Sequence, residues 1–233
     1  MSIVDETYEL PITSIDTIDY DVLIATPGRQ FHAEYVRSLI ETTRLLNQEG
    51  ITYGFLNKYS SFVPSARELT ATDSNVHNWN TNTIGGGKYT YKKIFWIDSD
   101  IEWRPEDFLR LYNSELDIVS GLYQTDVFGT VAVNMPDDKG RPVKVSKKEF
   151  MLDDQPVEVN GVGFGFVAMK SGVFEMMPRP WFKIRFVRWD HTDFDTNVGE
   201  DYSWCMNAKD MGFKIWVDPM VTVAHHKETV YLV

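Results

Sequence analysis

Ile94-Phe95-Trp96-Ile97-Asp98-Ser99-Asp100 is the stretch on which the fold of this chain turns. Four consecutive β-branched and aromatic residues predict a buried strand. Asp98 and Asp100 stand at its end and bracket a small hydroxyl residue. Residues two apart on an extended chain share a side, so extension through Asp100 predicts that both carboxylates face one guest. Two adjacent negative charges are best stabilised by a divalent cation or by hydrogen-bonding hydroxyls. Arg104-Pro105-Glu106-Asp107 follows as a helix start, with proline at the first helical position and acids in the first turn. The acidic pair therefore sits in a strand-to-helix crossover, where open α/β sheets bind their ligands.

Upstream, Asp21 to Thr26 is a nearly all-apolar run suited to a central parallel strand, and Pro27-Gly28-Arg29 is a turn. Phe31, Tyr35, Leu39, Thr43 and Leu46 keep a helical spacing, Ile51 to Leu56 reads as a second strand, and Ser65 to Asp73 as a second helix. Thr83 to Lys88, with its three glycines, breaks the chain before the third strand. Strand and helix thus alternate as in a nucleotide-binding half over residues 21–104. Residues 1–20 carry acids and little periodicity and read as a surface extension. Residues 105–233 change character, with short strand candidates at 130–134, 143–150 and 157–169 that suggest a more antiparallel, acceptor-shaping portion. Gly199-Glu200-Asp201 opens a helix that Gly212 ends, and strands at 213–217 and 221–223 precede His225-His226. No linker divides the chain, and a single domain over 1–233 is expected.

With 233 residues, of which 43% are hydrophobic, the chain can bury a sizeable core without crosslinks. A formal net charge of -11 argues against nucleic acid and against anionic membrane surfaces as partners. Cys205 is alone, so neither an internal disulfide nor redox chemistry is expected. No apolar run approaches the roughly 20 residues of a membrane span, and the first residues lack a signal pattern. A cytoplasmic protein is expected, in the host cytoplasm if the source is viral.

An ordered set of segments carries a resemblance. It comprises Ala25-Thr26-Pro27, Asp98-Ser99-Asp100, Gly161-Val-Gly-Phe-Gly-Phe166, Gly199-Glu200-Asp201, and Asp218-Pro219 followed by His225. In this order they resemble the GT-A-fold glycosyltransferases, particularly short family 2-like enzymes of bacteria, phages and large viruses. The resemblance spans about residues 21–226. It implies an α/β fold, a nucleoside-diphosphate sugar as donor, a glycan, glycoprotein or other hydroxyl as acceptor, and Mn²⁺ or Mg²⁺ as cofactor. Carried over by position, it implies that Thr26 and Pro27 line the nucleotide pocket and that Asp98 faces the ribose or a metal-bound water. Asp100 and His225 would ligate the metal, with Asp98 and Ser99 beside them. Asp201 would take the acceptor proton, and Glu200 would position the acceptor or a neighbouring group. Arg67 resembles a nucleotide-approaching arginine, although Glu68 stands where many relatives have asparagine. Gly163, with its neighbouring glycines, would let the backbone approach the sugar.

Other readings of the same residues stand beside these. Asp98 would serve as a helix cap, and Glu200 and Asp201 as favourable charges at a helix N-terminus. Adjacent histidines on a strand point opposite ways, so His226 is the alternative metal ligand. The glycines at 161, 163 and 165 would equally kink a strand. Trp181, Phe182, Trp189 and Trp204 fit a core or a sugar-stacking face. The resemblance further implies UDP as the nucleotide and an inverting single displacement with Asp201 as base. No Gln-x-x-Arg-Trp segment of processive synthases follows Asp201. Two rival functions are a sugar-1-phosphate nucleotidyltransferase, for which Pro27-Gly28-Arg29 is a poor loop, and a carbohydrate- or metal-binding module without turnover.

Overall fold

A computed structural model describes residues 17–75, 81–137, 142–150, 154–188 and 195–227. The first part of the chain runs β1 (Ile18–Ala25), α1 (Ala33–Gln48), β2 (Tyr53–Leu56), α2 (Val63–Thr72), β3 (Tyr89–Ile97), β4 (Ile101–Glu102) and α3 (Pro105–Asn113). The remainder runs β5 (Ile118–Leu122), β6 (Thr130–Pro136), β7 (Pro142–Ser146), β8 (Val157–Val159), β9 (Gly161–Val162), β10 (Phe166–Lys170), α4 (Val173–Met176), β11 (Arg185–Val187), β12 (Thr196–Val198), α5 (Glu200–Asp210), β13 (Ile215–Thr222) and β14 (Ala224–His225). Trp189 lies outside the described residues.

The central sheet has the order β2-β1-β3-β10-β5-β13-β8. β1 is parallel to both β2 and β3, β10 is antiparallel to β3 and β5, β13 is parallel to β5, and β8 is antiparallel to β13. A second sheet, β7-β6-β9, is antiparallel throughout, as is the β11-β12 pair. The expected α/β class, a mixed central sheet with a smaller antiparallel portion, is the architecture found.

β3 explains why the sheet is buried on both faces. Phe95 and Ile97 point into one apolar layer with Tyr35 and Leu46 of α1 and Phe108 and Leu111 of α3. Phe95 stacks on Phe108 with ring centroids 3.8 Å apart. Ile94 and Trp96 point the other way, into a layer that includes Phe164, Phe174, Phe182, Trp181 and Trp204. A strand covered on both faces must be apolar without alternation, which is what its sequence shows. Trp181, Phe182 and Trp204 are thus core residues, 0%, 2% and 0% exposed. Cys205 is buried with them, and its thiol is pushed up to about 12 by burial.

The strand read over 143–150 ends at Ser146, the one read over 157–169 divides into β8, β9 and β10, and two further boundaries differ from expectation. Ile18, Asp19 and Tyr20, read from sequence as surface extension, already belong to β1 and pair with Tyr89, Thr90 and Tyr91 of β3. Local polarity hid this pairing, because Asp19 and Asp21 find partners only on other segments. Asp21 accepts hydrogen bonds from the Thr52 backbone N–H and hydroxyl, both at 2.8 Å, and pairs with Lys92 at 2.6 Å. The second difference is β13, which runs unbroken through Pro219 where two strands were expected. The register against β5 shifts between Asp218 and Thr222, and such an irregularity is where a strand tolerates proline.

The Lys92 ammonium and the Thr52 hydrogen bonds hold the Asp21 carboxyl down at about 2, from an ordinary 3.8. The folded state therefore binds this proton later than the unfolded one. The contribution is whole above about pH 4 and is lost as pH falls towards 2. Solvent screening at this part-exposed pair limits it to about 1 kcal/mol. Asp21→Asn is expected to lower unfolding stability by that amount at pH 7 but not at pH 2. Urea titrations at both values check this, and an equal loss at both would remove the ionic contribution.

Candidate active site

The carboxyl ends of β1 and β3 and the N-terminus of α5 open onto one cleft of about 1370 Å³. Its lining includes Pro27, Arg67, Asp98, Ser99, Asp100, Gly163, Asp201 and His225. Residues scattered over the chain are brought together because parallel strands deliver their ends to the same edge.

The Asp-Ser-Asp segment is a turn and not the end of an extended strand. β3 stops at Ile97, and the Ile101 N–H donates to the Asp98 carbonyl at 3.1 Å. This overturns the expectation that alternation aims both carboxylates at one point. Asp98 turns to Arg67, whose Nη2 lies 3.1 Å from its Oδ1. Asp100 turns to His225, with Oδ2 3.1 Å from Nε2, and Lys227 is 3.4 Å from the same oxygen. Burial raises the Asp100 pKa, but hydrogen bonding and charge from His225 and Lys227 outweigh it and bring the carboxyl below its usual value.

His225 stands opposite Asp100 because β14 pairs with β4 in the register His225 to Ile101. Its Nδ1 is 2.8 Å from the Gln124 carbonyl oxygen. The Nδ1–H donated to that carbonyl fixes the ring, while Nε2–H donates to Asp100, and the Asp100 bond holds the imidazole pKa above its ordinary value. An ion between Nε2 and Asp100 would replace the Nε2 proton and keep the Nδ1 bond that orients a ligating histidine. An imidazole and a carboxylate so placed fit Mn²⁺ or Mg²⁺.

Arg67, on α2, is buried and joins two parts of the cleft. Besides Asp98 it pairs through Nε with Glu200 Oε1 at 3.3 Å, and its guanidinium lies 5.2 Å from the Phe164 ring centroid. Burial works against its charge, and Asp98, Glu200 and Asp201 more than offset that, holding its pKa above the ordinary value. Glu68 next to it points away from the cleft, pairs with Arg179 at 2.7 Å and accepts the Phe182 backbone N–H at 3.3 Å.

Asp201 occupies the first turn of α5 and accepts the Tyr202 backbone N–H at 2.7 Å. Burial and the neighbouring Glu200 charge push its pKa above the ordinary carboxylate value, with Arg67 pulling the other way. A carboxylate tuned upward is a better proton acceptor near neutral pH.

Thr26 is not at the cleft surface. Its hydroxyl is fully buried, 2.5 Å from the Tyr35 hydroxyl, so Pro27 alone of this pair lines the pocket. The reason is orientation: the β1 side chains that precede it are buried on both sheet faces and leave Thr26 enclosed. The glycines have a structural partner that sequence reading missed. A Cβ on Gly163 would lie 2.2 Å from Tyr123 Oη, and one on Gly165 2.6 Å from the same ring. Tyr123 accepts the Gly165 N–H at 3.0 Å, and its ring meets His225 edge-on at 5.4 Å. Asn57 was missed as well; it donates to the Thr26 and Gly28 carbonyls at 2.6 and 2.9 Å and fixes the turn after β1. Neither residue has a local sequence signal.

The crystal structure of A197 from STIV is similar over 91% of this chain and 97% of its own, at 18% identity and a TM-score of 0.50. The chain shares that fold. Also similar are the catalytic domain of Drosophila β1,4-galactosyltransferase 7 in complex with xylobiose (13% identity, 90% of this chain, 71% of that one, TM-score 0.48) and GalNAc-T7 with UDP, GalNAc and Mn²⁺ (13%, 89%, 37%, 0.48). The present chain thus spans little more than a third of GalNAc-T7. No family model matches the sequence, and no curated protein sequence matches it. No helix among the described residues is long and apolar enough to cross a membrane.

Proposed function

We propose that this chain is a metal-dependent glycosyltransferase that moves a sugar from a nucleoside diphosphate, with UDP favoured, to an acceptor hydroxyl. The observation that carries the reading is convergence in one cleft. The Asp100–His225 pair at the end of β3 and the upward-tuned Asp201 at the start of α5 line the same cavity. A nucleotidyltransferase or a passive binding module has no need of a buried, raised carboxylate across from a metal-type pair.

Asp100 and His225 would hold Mn²⁺ or Mg²⁺, and the ion would neutralise charge on the departing diphosphate. Asp201 accepts the proton of the acceptor hydroxyl as that oxygen forms its bond to the anomeric carbon, while the bond from that carbon to the phosphate oxygen breaks. Attack from the face opposite the leaving group inverts the anomeric centre. Arg67 holds Asp98 and Glu200 in place, so that the donor and acceptor walls keep a fixed separation. Pro27, Ser99 and Gly163 shape the donor side of the cleft.

Calorimetric titration with UDP and with GDP, each with Mn²⁺ and with chelator, tests the reading. Metal-dependent binding of UDP is expected, and Asp100→Ala is expected to abolish the metal dependence. Binding of neither nucleotide, or metal dependence that survives Asp100→Ala, would overturn the assignment.

A further inference from the structure

We propose that His32, Glu34 and His226 form a second metal site, separate from the Asp100–His225 pair and selective for a borderline ion such as Zn²⁺. One potential ligand atom from each of the three lies within 4.8 Å of the others. Each is partly buried, so the donors are held and still reachable from solvent.

The backbone explains how residues so distant in sequence meet. The His32 N–H donates to the Ser99 carbonyl at 3.0 Å, and the His226 N–H donates to the Asp100 carbonyl at 2.8 Å. Two successive carbonyls of the Asp-Ser-Asp turn thus fix the two histidines, and their ring centroids are 5.7 Å apart. Glu34 enters from the first turn of α1, directly after His32. The Glu102 carboxylate is 2.8 Å from His226 Nε2 and supplies the outer partner that orients a ligating imidazole.

The donor chemistry sets this site apart from its neighbour. Two imidazoles with one carboxylate suit Zn²⁺, Co²⁺ or Ni²⁺, whereas the Asp100 site has one imidazole and relies on oxygen donors suited to Mn²⁺ or Mg²⁺. His225 and His226 are consecutive, and each serves a different side of the β14 end. An ion bound here would tie the start of α1 and the segment after β14 to the turn that carries Asp98 and Asp100. The site needs no nucleotide.

Zn²⁺ titration of metal-stripped protein without nucleotide, by calorimetry and by the visible spectrum of bound Co²⁺, is the test. One equivalent of Zn²⁺ is expected to bind. His32→Ala and Glu34→Gln should each weaken binding by at least about tenfold, and Asp100→Ala should leave it in place. Glu34→Gln, a near-isosteric change on a partly exposed helix position, decides the matter if His32→Ala perturbs folding by circular dichroism. Absence of Zn²⁺ uptake, or uptake lost in Asp100→Ala and kept in both other variants, would overturn the proposal.

Discussion

Asp201→Asn is expected to lower turnover about 10²- to 10⁴-fold while metal-dependent nucleotide binding stays within about threefold of the parent. Asparagine is nearly isosteric and its side-chain oxygen still accepts the Tyr202 N–H, so the start of α5 should not move. The same variant is expected to be as stable as the parent or more so near pH 7. Because burial and Glu200 raise the folded-state pKa of Asp201, the folded state holds this proton more tightly than the unfolded state. Stability therefore falls as pH rises from the unfolded value through the folded one, and the ionised group is a net cost above that range. A residue whose role was only to support the helix would behave oppositely, losing stability and leaving turnover intact. Steady-state rates together with urea unfolding separate the two, and an unchanged kcat would remove Asp201 from the reaction.

The second large effect is expected at Arg67. Its removal leaves Asp98 and Glu200 as two carboxylates without their shared cation, and the loss of one partner of a buried pair costs about 3 to 5 kcal/mol. Asp98 is 31% exposed on its side chain, so the lower end, about 3 kcal/mol, is expected for Arg67→Ala. For a chain of this length that corresponds to a fall of about 6 to 12 °C in Tm. Arg67→Lys should recover only part, since an ammonium is a point charge and cannot present Nε and Nη2 to two carboxylates at once. A double-mutant cycle with Glu200→Gln gives the coupling of that arm directly. If Arg67→Ala shifts the unfolding midpoint by less than about 0.5 kcal/mol, solvent rather than Arg67 neutralises the two acids.

The parts of the fold that follow from local chemistry were legible in the sequence. The apolar run of β3, the Pro105 helix start and the Gly199-Glu200-Asp201 opening of α5 each carry their own signal and appear where expected. The insertion of β10 between β3 and β5 was not legible, because an antiparallel strand in the middle of a largely parallel sheet is specified only by partners far away. The Asp-Ser-Asp turn shows the same limit from the other side. Alternation along a strand places side chains only while the strand lasts, and β3 ends one residue before Asp98. Arg67 could be singled out by its neighbours in sequence, yet its two carboxylates lie 31 and 133 residues away. Tyr123 explains why glycine is required at 163 and 165, and nothing near Tyr123 in the chain announces that it crosses beneath them. Aromatic residues that sequence reading left between core and ligand stacking, Trp181, Phe182 and Trp204, went to the core, where their area is best used.

The two-residue pairing of β4 with β14 also sets an order of events during synthesis. β1, β2 and β3 can pair as soon as residue 97 is available, well before Ala224 and His225 exist to close over Asp100. A nascent chain would therefore carry paired β1, β2 and β3 while the acidic turn after β3 still lacks its imidazole. A fragment terminated before residue 224 would keep the residues of β1, β2 and β3 while lacking His225, the imidazole that faces Asp100.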